Sequence, residues 1–152
     1  MRKRRDKRKI ERSLIKYYAV SAVSLLCAIA YLVIRIDNTV WYFKAHTECK
    51  QNTGPVVLLH ILLILATVAA FSPCLIAKTK RGIRLAVCLS TLFAAVVSVS
   101  VLSWYTGLYM SRVSHWPWAT IILFFVCIIC SPVAFVMTAL DDRKENGAAQ
   151  DQ

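Results

Sequence analysis

Four long stretches almost free of charge constrain this chain more than any other feature: Tyr17–Ile34, Val56–Ile76, Leu85–Leu108 and Trp118–Leu140. Each is 18 to 24 residues long. At about 1.5 Å of rise per helical residue, each spans roughly the 30 Å of hydrocarbon in a bilayer. The chain of 152 residues is 58% hydrophobic, against roughly 45–50% for a soluble domain, and nearly all the excess lies in these blocks. Strands of a membrane barrel would alternate in polarity over about ten residues, a pattern these blocks do not have. Open strands would leave unpaired backbone groups in lipid. The expected fold class is therefore all-α integral membrane: a four-helix transmembrane bundle with short loops. Helices are expected at about 17–35, 55–77, 83–109 and 117–140, between a basic N-terminal segment, 1–16, and a polar tail, 141–152, read as disordered. The first block is read as retained, because it leads into Ile34-Arg35-Ile36-Asp37-Asn38 and Trp41-Tyr42-Phe43 in place of a small-residue cleavage site.

Basic residues set the expected orientation. The N-terminal segment (Arg2, Lys3, Arg4, Arg5, Lys7, Arg8, Lys9, Arg12, Lys16), the second connection (Lys78, Lys80, Arg81, Arg84) and the tail (Arg143, Lys144) hold fifteen of the 19 Lys and Arg residues. The other side keeps four: Arg35, Lys44, Lys50 and Arg112. Positive charge is retained on the cytosolic face, so both termini are expected there. Trp41, Trp104, Trp116 and Trp118 all fall at the opposite interface, with Tyr17 and Tyr18 at the cytosolic one, where amphipathic rings settle. Pro55 and Pro117 each stand at a helix start, where a missing amide proton is harmless. Asp37 with Arg35 reads as the polar end of the first helix. Trp41-Tyr42, Pro55 and Ser72-Pro73 recur as Trp104-Tyr105, Pro117 and Ser131-Pro132. That pattern fits either a parallel duplication of two hairpins or a coincidence of common interfacial residues.

Packing is read from the third helix, where Ala86, Ser90, Ala94 and Ser98 recur at steps of four. Small residues at that spacing let another helix approach closely, which matters where lipid removes the hydrophobic incentive to associate. The seam either closes the bundle or docks a partner or second copy. Ser90, Thr91, Ser98, Ser100, Ser103 and Thr106 scatter around the helix instead of lining one pore face. His60 is the one candidate for an intramembrane titratable group, read as interfacial or hydrogen-bonded to a neighbour.

Six cysteines might form a disulfide framework, but only Cys49 lies in a loop on the non-cytosolic side. The paired-cysteine loop of claudins and the Cys-Cys-Gly loop of tetraspanins are both missing. Cys74 and Cys88, close to the cytosolic surface, are candidates for palmitoylation. Cys127-Ile128-Ile129-Cys130 in the fourth helix resembles the redox pair of vitamin K epoxide reductase. That resemblance implies a membrane thiol oxidoreductase relaying electrons from loop cysteines to Cys127 and Cys130. The chain departs from the family in three ways. The pair lies near mid-membrane, the first loop has one cysteine where a relay needs two, and that loop is too short for the family's lid. Packing in lipid is the simpler reading of the pair.

Arg2-Lys3-Arg4-Arg5 fits a topology determinant that adheres to anionic cytosolic lipid, or an arginine-based retrieval signal of the endoplasmic reticulum. Nucleic-acid binding is not expected, because no aromatic residues interleave the basic ones and no soluble domain accompanies them. No catalytic, cofactor-binding or metal-binding residues are identified and no cofactor is expected. The leading expectation is a non-enzymatic accessory, scaffold or regulatory subunit in the endoplasmic reticulum or another endomembrane, or the plasma membrane. It would act on another integral membrane protein or a second copy through helix contacts. The thiol oxidoreductase and a small transporter or channel are the alternatives.

Overall fold

The computed structural model describes the backbone of residues 2–45, 54–106 and 117–150, and the side chains of 14–41, 44, 54–101 and 118–147. The backbone forms four helices: α1 (Arg2–Ala45), α2 (Gly54–Ile76), α3 (Lys80–Thr106) and α4 (Pro117–Gln150). All four are long and apolar enough to cross a membrane. Cys49, Arg112 and Trp116 lie outside the described residues, as do the side chains of Arg2 to Arg5 and of Trp104.

Local chemistry explains the tight junction between α2 and α3. Ala77 N–H donates to Pro73 O at 3.0 Å and closes the last turn of α2. Two residues later Thr79 caps α3: its hydroxyl accepts from Gly82 N–H at 3.1 Å and its carbonyl from Ile83 N–H at 2.9 Å. A Cβ on Gly82 would meet the Thr79 hydroxyl at 2.8 Å, so the cap needs glycine there. Within α2, Pro73 cannot donate to the Ala69 carbonyl one turn back. The Ser72 hydroxyl donates to it instead, at 2.8 Å. The serine of this Ser-Pro pair replaces the bond that the proline deletes.

Polarity runs opposite to that of a soluble bundle. Large aliphatic side chains point outward, with Leu26 67% and Leu75 83% exposed, while Ser24, Thr67 and Thr91 are fully buried. Two of these hydroxyls are held by their own helices: Thr67 donates to Leu63 O and Thr91 to Val87 O, at 2.7 and 2.8 Å, whereas Ser24 Oγ is buried with no partner. This is the arrangement expected when the surrounding solvent is hydrocarbon.

α1 and α3 form the inner pair, each touching the other three helices; α2 and α4 flank them without meeting. Only 17% of the apolar window of α2 is buried against 56% for α3. The core stacks in three layers. Tyr17, Cys74, Val87 and Ala134 fill the end that carries both termini. Ala28, Phe71, Ala94 and Cys127 fill the middle. Tyr31, Leu32, Val97 and Val101 fill the far end.

Three boundaries differ from the sequence reading, the first being that α1 already begins at Arg2, so the backbone of the segment expected to precede it is helical. α1 runs on ten residues beyond 35, and Arg35, expected at an aqueous helix end, is buried in the bundle with its guanidinium 5.1 Å from the Tyr31 ring centre. α4 runs on past 140 to Gln150, so the segment expected to be a disordered tail is helical there. Hydropathy marks where the oily stretch ends, whereas the helical backbone of α1 and α4 runs on beyond it.

Candidate functional site

The small-residue seam of α3 lies wholly inside the bundle. Ala86, Ser90, Ala94 and Ser98 are all buried. Ala94 packs between Ala28 of α1, Phe71 of α2 and Cys127 of α4. Tyr31 donates its hydroxyl to Ser98 O at 3.4 Å, and the Cys74 thiol and Ser90 hydroxyl are 3.4 Å apart. Small side chains at these positions bring the inner pair together, as close-packed membrane helices require. The surface left for any partner is elsewhere, on the open sides of α2 and α4.

A second cluster escaped the sequence reading. At the end carrying both termini, Arg84 in the first turns of α3 reaches across to α4. Its Nη1 donates to Asp142 Oδ1 at 2.8 Å and to Glu145 Oε2 at 3.3 Å; its Nη2 donates to Glu145 Oε1 at 2.6 Å. Asp141 Oδ2 stands 3.8 Å from Nη2. The same carboxylate accepts from Lys16 Nζ at 2.8 Å and from the Tyr17 hydroxyl at 3.0 Å, both on α1. The Tyr17 ring lies beneath both cations, 5.2 Å from Lys16 Nζ and 5.9 Å from the Arg84 guanidinium carbon. Three helices are thus clasped by two cations, three carboxylates and one phenol.

Burial is uneven across this clasp. The Arg84 side chain is 5% exposed and Asp141 12%, whereas Asp142 and Glu145 are more than half exposed. Arg84 fits the position because a planar fork pairs several carboxylates at once, which a lysine cannot. Its Nε–H is buried with no acceptor. The sequence signal for the clasp was present but weak. Asp141 and Glu145 stand one helical turn apart and Arg84 ends a basic connection, yet nothing in the sequence pairs residues 57 to 61 apart.

Toward the far end, a buried polar layer gathers Tyr31, Arg35, Asn38 and Thr39 of α1, His60 of α2 and Thr120 of α4. Thr39 donates to Arg35 O at 2.7 Å, and His60 Nδ1 lies 2.8 Å from Val56 O. His60 is hydrogen-bonded to its own helix.

Four of the five described cysteines take interior places. Cys127 and Cys130 are buried and not bonded to each other. Cys74 and Cys88 are buried too, with the Cys88 thiol 3.4 Å from the Thr138 hydroxyl of α4. Their thiols therefore face neighbouring helices and not the membrane surface where palmitoylation would reach them. Among the described residues, no three His, Cys, Asp or Glu side chains gather as a metal site.

Between α3 and α4, on the outer side of the clasp, runs a groove of about 380 Å³. Arg81, Arg84, Leu85 and Cys88 line it from α3, and Phe135, Thr138, Ala139 and Asp142 from α4. No protein-family model matches the chain, and no curated protein or solved structure matches it either.

Proposed function

We propose that this chain is a non-enzymatic accessory subunit of an endomembrane, the endoplasmic reticulum first among them, with both termini in the cytosol. It holds or regulates another integral membrane protein, or a second copy, through contacts between helices. One observation carries this reading: α2 is packed on one side only. It meets α1 and α3 but not α4, and most of its apolar window stays uncovered. Leu62, Leu65 and Ile76 point outward beside the small residues Ala66 and Ala69. That face combines close approach with apolar bulk, the two properties membrane helices use to associate.

The clasp supports the same reading. It fixes α1, α3 and α4 to one another, so a partner on α2 meets a rigid frame. The basic N-terminal run and the clustered Lys78, Lys80 and Arg81 suit a face held against anionic lipid.

Photo-crosslinking tests the proposal. A photoreactive residue is placed at Leu62, at Leu65 or, as an internal control, at Ser98, and the membranes are illuminated before solubilisation. A discrete protein adduct from Leu62 or Leu65, with none from Ser98, is the expected result. Lipid adducts alone from both outward positions, with a monomer in mild detergent, would end the reading.

A further inference from the structure

We propose that the C-terminal part of α4 is a latched arm: residues 133–150 swing as one helical rod about Pro132, and the clasp holds them shut against α1 and α3. The bend point, the latch and the room to move all fall on this one stretch.

The bend point comes from covalent chemistry. Pro132 stands inside α4. It has no N–H for the Ile128 carbonyl and its ring crowds that carbonyl, so the helix bends there more readily than elsewhere in its spanning part. The inner pair has no counterpart: α1 contains neither proline nor glycine, and α3 only Gly82, within its cap. Pro73 of α2 lies three residues from the end of that helix, so bending there moves almost nothing.

Packing changes at the same point. Before Pro132, α4 is anchored by Leu123, Phe124 and Cys127, which pack into the far and middle core layers. Beyond it, Ala134 and Met137 are what α4 adds to the layer beneath the clasp, while Phe135, Val136 and Leu140 face outward. All four residues that line the groove from α4 (Phe135, Thr138, Ala139 and Asp142) lie beyond Pro132. The gap between α3 and α4 therefore runs along the arm, where close-packed helices would leave no such volume.

At the outer end the attachment turns from packing to charge, through Asp141, Asp142 and Glu145 to Lys16 and Arg84. Two of these carboxylates are more than half exposed, so ions in the aqueous phase compete for them. A loosely packed rod with a bend point at one end and ionic ties at the other has two positions. Shut, it supplies the rigid frame for a partner on α2. Swung out, it widens the groove and uncovers Val87 and Cys88. The device itself does not depend on that partner.

Distances between spin labels on the full chain in nanodiscs test it. Labels carried by non-canonical residues at Lys78 and Lys144, both exposed, report on the arm; labels at Lys78 and Ile129, which precedes Pro132, serve as the reference pair. From Pro132 to Lys144 the arm is about 18 Å long, so a bend of about 20° displaces its label by about 6 Å. The parent should give a single short Lys78–Lys144 distance. Asp141→Asn, Asp142→Asn and Glu145→Gln made together remove the latch and should add a population about 6 Å longer, with the Lys78–Ile129 distance unchanged. Adding Pro132→Ala should abolish that population. Arg84→Gln carries the same expectation should the triple variant not assemble. An unlatched arm that keeps the parent distance, a longer population that survives Pro132→Ala, or an equal shift of the Lys78–Ile129 pair would overturn the proposal: the end of α4 would then be fixed by packing, frayed, or loosened with the whole bundle.

Discussion

Replacing Arg84 by methionine removes the one side chain that joins α3 to three carboxylates of α4 while keeping most of its apolar stem. The size of the effect follows from how much of the clasp is dry. Breaking a fully buried ion pair costs about 3–5 kcal/mol, because the surviving charge stays desolvated. An exposed pair contributes only about 0.2–1 kcal/mol. Arg84 is buried, but Asp142 and Glu145 are more than half exposed and recover water when it leaves. Asp141, the one carboxylate shielded from water, keeps Lys16 and Tyr17. The loss is therefore intermediate, about 2 kcal/mol. It should appear locally, since residues 141–147 are helical beyond the oily stretch. Amide hydrogen exchange of the protein in nanodiscs reads it directly: 2 kcal/mol corresponds to about a thirtyfold faster exchange across that segment. Lys78→Met, at an exposed position of the same end, should change exchange little. In a double-mutant cycle, Arg84→Met and Glu145→Gln should couple by about 1 kcal/mol, the upper part of the range for a half-exposed partner. If protection of residues 141–147 in Arg84→Met stays within threefold of the parent, the clasp does not hold the end of α4 and the reasoning fails.

Ala94→Leu forces three methyl-sized groups into a fully buried contact between four helices; thermal unfolding in detergent should show a loss of about 1–3 kcal/mol or more, with any change in partner association following from that loss. Thr79→Ala removes the hydroxyl that caps α3 and should cost about 1 kcal/mol by the same assay, whereas Thr79→Ser should restore most of it. Maleimide labelling in sealed membranes should leave Cys127 and Cys130 unmodified under both reducing and oxidising conditions and reach them only after denaturation; labelling that switches with redox state would instead support the thiol chemistry implied by the Cys-x-x-Cys pair.

Helix number and approximate position were legible because the bilayer imposes a length and a polarity that composition alone reports. Where each helix stops was not. Arg35 looked like a terminus because a cation ends an apolar run, yet α1 continues and buries it beside Tyr31. Asp141, Asp142 and Glu145 looked like a solvated tail for the same reason. Their carboxylates pair with a residue on another helix, and local reading has no access to that. The small residues of α3 show the opposite case. Their four-residue spacing was plain in the sequence, but only the packing of Ala94 against Ala28, Phe71 and Cys127 assigns that face to the bundle's own interior. Spacing identifies a face that wants a neighbour; it does not say whose.

Lys16 and Asp141 are 125 positions apart. At about 5–20 residues per second, a ribosome needs roughly 6–25 s to get from one to the other. Tyr17 is without its acceptor throughout that interval, and Arg84 waits for roughly the last 3–11 s of it with none of its carboxylate partners on α4 yet made. A nascent protein of this design is born with an open seam and shuts it only on completion, so a product cut short before α4 carries Arg84 without the carboxylates that pair with it in the finished fold.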